Sequence, residues 1–384
     1  QQGPAGVHTN IPSPGSVWYK DLSFLPRMVC VVDATGAITR LSQARHPNWT
    51  ITDPIDPLRN CWRWDSSEAT SIGGSERWLG KDSALSNDDP DFYMNGLVWT
   101  EWGNLMSAPY AARIEGVDTA KNGIVFSGPW GNNGYSIIIN HRYWLEDKPH
   151  YLDEAGEFWF DKTGASSGRL YVRMPGDAPP SNYTVEAARH TALIYKYRGT
   201  ADYIEISGLT FRFGNIYWPL EYRDFQDYPS VVSGTITIEG NAIGFVVRNC
   251  TFEYVAQAVR FRSYGATDLV TGLLIADNDI RYCDRGAITV LDGGKLDLVQ
   301  VLRNRIRDTG LRPWRVNGNH TLQVNYALRP EIAGNMLERV GGAGLFIFGG
   351  KGSGSMNDVP FARILMHHNK VKDSLLCAND WGGI

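Results

Sequence analysis

Two short passages place an aspartate at the same offset before a small-residue turn. CDRGAITV spans 283–290 and NDWGGI spans 379–384, so Asp284 stands before Gly-Ala-Ile as Asp380 stands before Gly-Gly-Ile. A carboxylate that closes a turn directly ahead of a strand is held over a sheet face. One chemistry open to a pair of carboxylates is cleavage of a glycosidic bond, in which one protonates the leaving oxygen while the other acts as nucleophile or base, across about 5 to 10 Å. Asp380 is the principal catalytic candidate and Asp284 the second, with simple turn capping as the alternative for each. Beside them, Trp314 and Trp381 offer flat faces for sugar rings, and Arg285 and Arg315 offer donors to hydroxyls or carboxylates. His367 and His368 are neighbours on a strand, so alternation sends one inward and one outward; His368 is the substrate-binding candidate of the two.

What must position these residues is a repeat. VVRNCTF around Asn249, IADNDI around Asn278, VLRNRI around Asn304, IAGNML around Asn335 and MHHNKV around Asn369 share one pattern, and IEISGLTF carries Gly208 at the same place. Each copy holds short apolar strands that cannot bury their faces alone and must stack on the next. The copies are β-branched, alternate with a period of two and are broken by glycine, which argues against paired helices. A parallel β-helix is the expected result. One asparagine per turn is expected to bend the chain in the left-handed region and to bond with the asparagines above and below, so all five are read as structural.

Within that repeat the aspartates gain a register. Ile288 is ten residues past Asn278 and Leu345 ten past Asn335, which puts DRGAI and GGAGL in equivalent slots. Asp284 and Asp380 are then three coils apart, roughly 14 Å at the strand spacing. That exceeds the reach of a catalytic pair, so Asp292, Glu331, Glu338, Asp373 or a residue beyond 384 is expected to complete at least one of them.

Composition bounds the rest. With 384 residues the chain exceeds one typical domain, and 41 Gly, 19 Pro, 13 Trp and 18 Tyr with almost no helical periodicity read as all-β. The 37 basic and 41 acidic residues form no blocks, giving no electrostatic case for nucleic acid or an anionic membrane. No apolar run is long enough to span a bilayer. Five cysteines without CxxC spacing disfavour zinc and permit one or two disulfides without requiring them. No metal and no cofactor is expected.

Residues 1–198 lack the asparagine pattern. Short strands such as RMVCVVD, NGIVFSG, YSIIINHRYW, EFWFD, RLYVRMP and YTVEAAR are separated by turn-rich stretches, which suits a β-sandwich-like module. SNDDPDFYMNG, at 86–96, is acidic but lacks the spacing of a calcium loop and reads as solvated. Residues 199–384 hold the coils.

The passage 142–177 contains Leu152, Asp153, Gly156, Glu157, Phe158 and Asp161, followed by Gly168, Leu170 and Tyr171. It resembles the L-D-x-x-G-E-W-x-x-D and G-x-L-Y passage of right-handed parallel β-helix glycoside hydrolases, similar to the β-helical β-xylosidase and fucosidase/xylanase families, with Phe158 in place of the usual Trp. VDATGAITRLSQARHPN, at 32–48, likewise resembles their A-R-[YW]-P-N passage, with His46 at the aromatic position. The resemblance implies a right-handed parallel β-helix with the β-sandwich-like module inserted into it. It also implies that a D-x-G-A-I turn carries an acid of the active-site groove, which falls on Asp284 and Asp380. Asp153, Glu157 and Asp161 are read as residues of a turn between strands.

These observations point to a glycoside hydrolase acting on a polysaccharide or oligosaccharide. The alternatives are a polysaccharide lyase on the same fold, using Lys, Arg or His as base, and a non-catalytic glycan-binding β-helix. The chain is expected to be secreted or periplasmic. Because GGI heads a strand and only about 30 residues precede VDATG, the β-helix is expected to be incomplete at both chain ends. A companion chain or further segment is expected to supply the remaining coils, and with them a second carboxylate.

Overall fold

A computed structural model describes residues 6–103, 108–128, 136–164, 167–216, 234–263, 265, 267–291, 294–311, 320–348, 363–377 and 382–384. Trp314, Arg315, Asp380 and Trp381, together with Asp292, lie outside the described residues. The structure is all-β: among the described residues every element is a strand or a single turn of 3-10 helix. The chain divides between Arg189 and His190 into two compact units. The first strand to join the second unit's stacked sheets, Ile194–Lys196, lies a few residues ahead of the expected boundary at 199.

In the first unit, Val17–Leu22, Gly168–Arg173, Glu157–Lys162 and Ser42–Gln43 form a four-stranded sheet, and Tyr183–Ala187, Val29–Asp33 and Ile38–Arg40 a three-stranded one. Alternation turns Phe158, Phe160, Leu170 and Val172 of the first inward onto Val29 and Val31 of the second, where they share one core with Leu41 and Met174. A further sheet runs through Arg142–Glu146, Leu97–Trp102, Ala108–Asp118, Gly123–Phe126, Ser75–Lys81 and Ser66–Ile72. Aromatic side chains fill its interior: the Trp64 and Tyr143 rings stack at 3.6 Å, and Trp64 Nε1 donates to Thr100 Oγ1 at 2.8 Å. Gly168 tolerates no side chain, since a Cβ there would lie 2.1 Å from the carbonyl oxygen of Asp161.

The second unit passes repeatedly through three parallel sheets. Its first sheet contains Ile194–Lys196, Gly234–Glu239, Gln257–Arg262, Ile288–Leu291, Leu322–Asn325 and Leu345–Phe348. The second contains Glu205–Ser207, Val246–Arg248, Leu269–Ala276, Lys295–Leu302, Glu331–Ala333 and Leu365–His367, and the third contains Thr210–Arg212, Thr251–Glu253, Asp279–Arg281, Arg305–Thr309, Met336–Val340 and Lys370–Lys372. Every passage of the chain therefore contributes to each sheet in turn, and one adds a further short strand, Ala242–Ile243, to the second sheet beside Leu269–Ala276. Inward positions repeat exact partners: Ile236, Val259, Ile288, Leu322 and Leu345 share one level, and Phe252, Ile280, Ile306 and Leu337 another. They belong to a single continuous apolar core.

An asparagine ladder runs along the corner between the second and third sheets. Asn278 Nδ2 donates to Asn304 Oδ1 at 2.9 Å, Asn304 Nδ2 to Asn335 Oδ1 at 3.0 Å, and Asn335 Nδ2 to Asn369 Oδ1 at 2.9 Å. The second amide hydrogen of each goes to a backbone carbonyl, as from Asn304 to Ile275 at 2.9 Å. Both amide groups are thus used fully, which is what permits their burial. Two expectations need correction. Asn249 is outside the ladder; the equivalent place is held by Cys250, whose amide N–H donates to Asn278 Oδ1 at 2.9 Å. Nor do the ladder asparagines make the bend. The left-handed residue is the one before each: Gly208, Asn249, Asp277, Arg303, Gly334 and His368, all at φ between 52° and 70°. The bend and the amide bridge are thus the work of two consecutive residues.

All five cysteines are buried and none is in a disulfide. No helix among the described residues is long and apolar enough to cross a membrane.

Candidate functional site

The corner that leads from the third sheet into the first carries Asp284. The chain leaves strand Asp279–Arg281 through Tyr282, held at φ 56°, a conformation shared by Tyr254, Asp308, Arg339 and Asp373 at the same point of other coils. Sheet-like pairing continues around this turn: Asp284 N–H donates to Val255 O at 3.0 Å, Arg285 N–H to Ala256 O at 2.8 Å, and Gly310 N–H to Cys283 O at 2.8 Å. Ala256, Asp284, Gly310 and Gly341 therefore occupy one position of successive coils. Asp284 is the only one of the four with a functional group, and bare backbone lies beside it at Gly310. Asp284 is 0% exposed and Arg285 is also buried.

The glycine of the D-x-G pattern has a steric cause. A Cβ on Gly286 would lie 2.0 Å from the carbonyl oxygen of His320 in the next coil. A side chain there would force the coils apart. Gly383 accepts from the N–H groups of Gly344 and Leu345 at 3.0 and 3.1 Å, the double contact that Thr321 makes with Ala287 and Ile288 at 2.8 and 3.0 Å. Gly383 thus stands at the level of Ala287, and Ile384 follows it as Ile288 follows Ala287.

Past the corner, the first sheet turns polar side chains outward and keeps them from water. Thr237, Arg260, Thr289, Gln323 and Phe346 share one outward level, and Glu239 and Arg262 another. Thr237, Glu239, Arg260, Thr289 and Gln323 are all buried. Gln257 Nε2 donates to Thr289 Oγ1 at 2.6 Å, and the His320 ring lies flat on Phe346 at 3.7 Å. Burial pushes the Glu239 carboxyl up, while Arg260, Arg262 and Arg198 act against the rise. A buried carboxyl or guanidinium group on such a face is costly unless it is paired or otherwise satisfied. Glu239, His320 and Arg260 were missed in the sequence. The signal was present in GTITIEG, whose alternation sends Thr235, Thr237 and Glu239 away from the core residues Ile236 and Ile238.

Other candidates are placed elsewhere. His368 is exposed at the ladder corner, and His367 beside it approaches Glu331 Oε1 at 3.4 Å, with the two ring Nδ1 atoms 2.8 Å apart. Neither shares the corner of Asp284. Glu331 belongs to the second sheet, where it accepts from Gln300 Nε2 at 2.9 Å; Glu338 belongs to the third and meets Lys372 Nζ at 3.3 Å; Asp373 approaches the same Lys372 at 3.5 Å. These ion pairs and hydrogen bonds account for all three. In the sequence, 312–319 and 378–381 fall between a third-sheet strand and a first-sheet position, as Asp284 does.

Asp153, Glu157 and Asp161 are not all turn residues, as they were expected to be. Glu157 and Asp161 lie in strand Glu157–Lys162, and Glu157 is 3% exposed. Desolvation, with the negative charge of Asp153 nearby, pushes its carboxyl up to about 9. Alternation puts Glu157 on the face opposite the core residues Phe158 and Phe160, between the strands that carry Arg173 and Ser42.

No protein family and no curated protein matches the chain by sequence. A solved structure described as a glycoside hydrolase shares the fold, with a TM-score of 0.50 over 94% of this chain and 80% of that one, at 13% identity. At that identity the likeness is one of fold.

Proposed function

We propose that the chain is a glycoside hydrolase acting on a polysaccharide or oligosaccharide laid over the outward face of the first parallel sheet. In this reading the second unit is a right-handed parallel β-helix and the first a β-sandwich-like module. Asp380 is the principal carboxylate and Asp284 a second acid three coils away in the repeat, a separation that leaves at least one of them to be completed by a further acid. Arg285 and Arg315 hold hydroxyls, and Trp314 and Trp381 stack on sugar rings. Hydrolysis breaks the bond from the anomeric carbon to the leaving oxygen, which takes a proton from one carboxyl group, while water supplies the hydroxyl that replaces it. Such chemistry calls for no cofactor. The observation that carries the reading is Asp284: a carboxylate withdrawn from water, ahead of a sheet whose outer face is lined with buried Thr, Gln, Glu and Arg. The shared fold with a glycoside hydrolase agrees with it.

A second reading draws on Arg260, Arg262 and Arg285 on or beside the same face, since a polysaccharide lyase uses a basic side chain to abstract the proton next to a uronate carboxylate. Incubation with a panel of neutral and uronic polysaccharides separates the readings. New reducing ends without ultraviolet absorbance from an unsaturated uronate support hydrolysis. Absorbance with each cut supports the lyase, and binding with neither defeats both enzymes.

A further inference from the structure

Two glutamates are buried on the outer faces of the second unit, and they are treated differently. Glu253, on the third sheet, is clasped by Arg212 and by Arg281, whose Nη2 lies 2.7 Å from Oε2. Glu239, last residue of first-sheet strand Gly234–Glu239, is 0% exposed, yet neither of its carboxyl oxygens accepts a hydrogen bond from a described residue. Arg198, Arg260 and Arg262 act on it through charge alone. A buried carboxyl group with open acceptors is destabilising unless something else fills them. The fold satisfies such a group two coil faces away, so the open acceptors are a local property of this site.

On the same face, one coil earlier, stand Tyr195 and Tyr197, 47% and 52% exposed, with ring centres 6.4 Å apart. Tyr195 is in register with Thr237 and Arg260. Two half-exposed aromatic rings beside a buried acceptor match the two sides of a sugar, an apolar C–H face and a rim of hydroxyl donors. We propose that Tyr195, Tyr197 and Glu239 form a saccharide-binding station in which the rings stack on one sugar unit and the Glu239 carboxyl accepts from its hydroxyls.

The station is remote from Asp284. Ile236 and Ile288 share a level through Val259. Glu239 lies three residues past that level, about 10 Å along its strand, whereas Asp284 lies back in the corner before strand Ile288–Leu291 begins, two coils away. No single sugar touches both. The ligand is a glycan long enough to lie across the sheet, an inference that rests on the proposed glycan substrate and narrows it to polymers or long oligomers.

Electrophoresis through native gels containing arabinoxylan, mixed-linkage β-glucan, galactomannan or polygalacturonate tests this directly. Retardation of the wild type is expected in at least one gel, and the neutral and uronic arms identify which class donates the hydroxyls. Glu239→Ala should weaken retardation by at least tenfold at an unchanged melting temperature. Tyr195→Ala/Tyr197→Ala, which removes half-exposed rings, should do the same and serves if Glu239→Ala does not fold. Full retardation of the variants, or none of the wild type in any gel, overturns the station. Reducing-end release is measured in parallel. Retardation that depends on Glu239 without hydrolysis leaves the station and defeats the hydrolase, whereas wild-type hydrolysis and affinity in the tyrosine variant do the reverse.

Discussion

Replacing Glu157 by glutamine should make the first unit more stable above neutral pH, and the size of the effect can be worked out. Its carboxyl is raised from 4.5 to about 9 by burial and by Asp153. In the unfolded chain it ionises at the ordinary value. Between those values the unfolded state binds fewer protons than the folded one, so this group's contribution is fully present below 4.5 and is lost as pH rises toward 9. At a pH of about 7.5 the loss amounts to roughly 4 kcal/mol, from about three pH units at about 1.4 kcal/mol each. Glutamine keeps the shape and an acceptor oxygen for the Glu154 N–H, which reaches Oε2 at 3.3 Å, and it never ionises. Urea unfolding followed by tryptophan fluorescence is the suitable assay, because ten of the 13 tryptophans fall within residues 1–189. Wild-type midpoints should fall steadily from pH 5 to pH 8, and those of Glu157→Gln should fall much less. Parallel curves for the two proteins would show that Glu157 is not held protonated, and the argument from its burial would fail.

Three further outcomes are expected. Asp380→Asn should abolish turnover on a confirmed substrate with folding intact, and Asp284→Asn should reduce it; a near-normal rate in either assigns that residue to its turn. Asn304→Ala should lower stability by about 1 to 3 kcal/mol, because it strands the amide partners in the coils on either side, with activity per folded molecule retained; urea unfolding and specific activity measure the two. Gly286→Ala should destabilise by more than an ordinary surface change, since its Cβ meets backbone 2.0 Å away rather than a movable side chain; a melting temperature equal to wild type would refute the steric reading of the D-x-G glycine.

The repeat was legible because its cause is local. Alternating apolar residues and a recurring asparagine are enough to imply stacked strands, and the offsets from Asn278 and Asn335 aligned Ile288 with Leu345 as the sheet pairing does. The place of the bend was not legible. Gly208, Asn249, Asp277, Gly334 and His368 are of types enriched in the left-handed region, but their identity changes from coil to coil and Arg303, with no such preference, holds the same conformation, so no single residue type marks the place. Burial of polar groups was the other blind spot. Glu239 alternates with isoleucine as a solvated residue would, and Glu157 follows a turn-like Asp-Glu-Ala-Gly. Whether either side chain meets water depends on neighbours distant in sequence, and for Glu157 those are the strands carrying Ser42 and Arg173.

The asparagine ladder also separates what can change in this chain from what cannot. Its bridged partners are 26, 31 and 34 residues apart, yet the amide contacts differ by no more than 0.1 Å. The ladder register is therefore kept while strand lengths vary, from eight residues in Lys295–Leu302 to three in Glu331–Ala333, and while connections of different length join the sheets. An insertion within a strand would shift every inward side chain to the outer face and break the amide bridge at once. In the connection from the third sheet to the first the sequence already tolerates added length, with 18 residues from Asn304 to Leu322 where ten separate Asn278 from Ile288. A longer or exchanged loop there that leaves Cys283, Gly286 and Ala287 in place keeps the core and the ladder register, which makes that connection the place to engineer a new glycan preference.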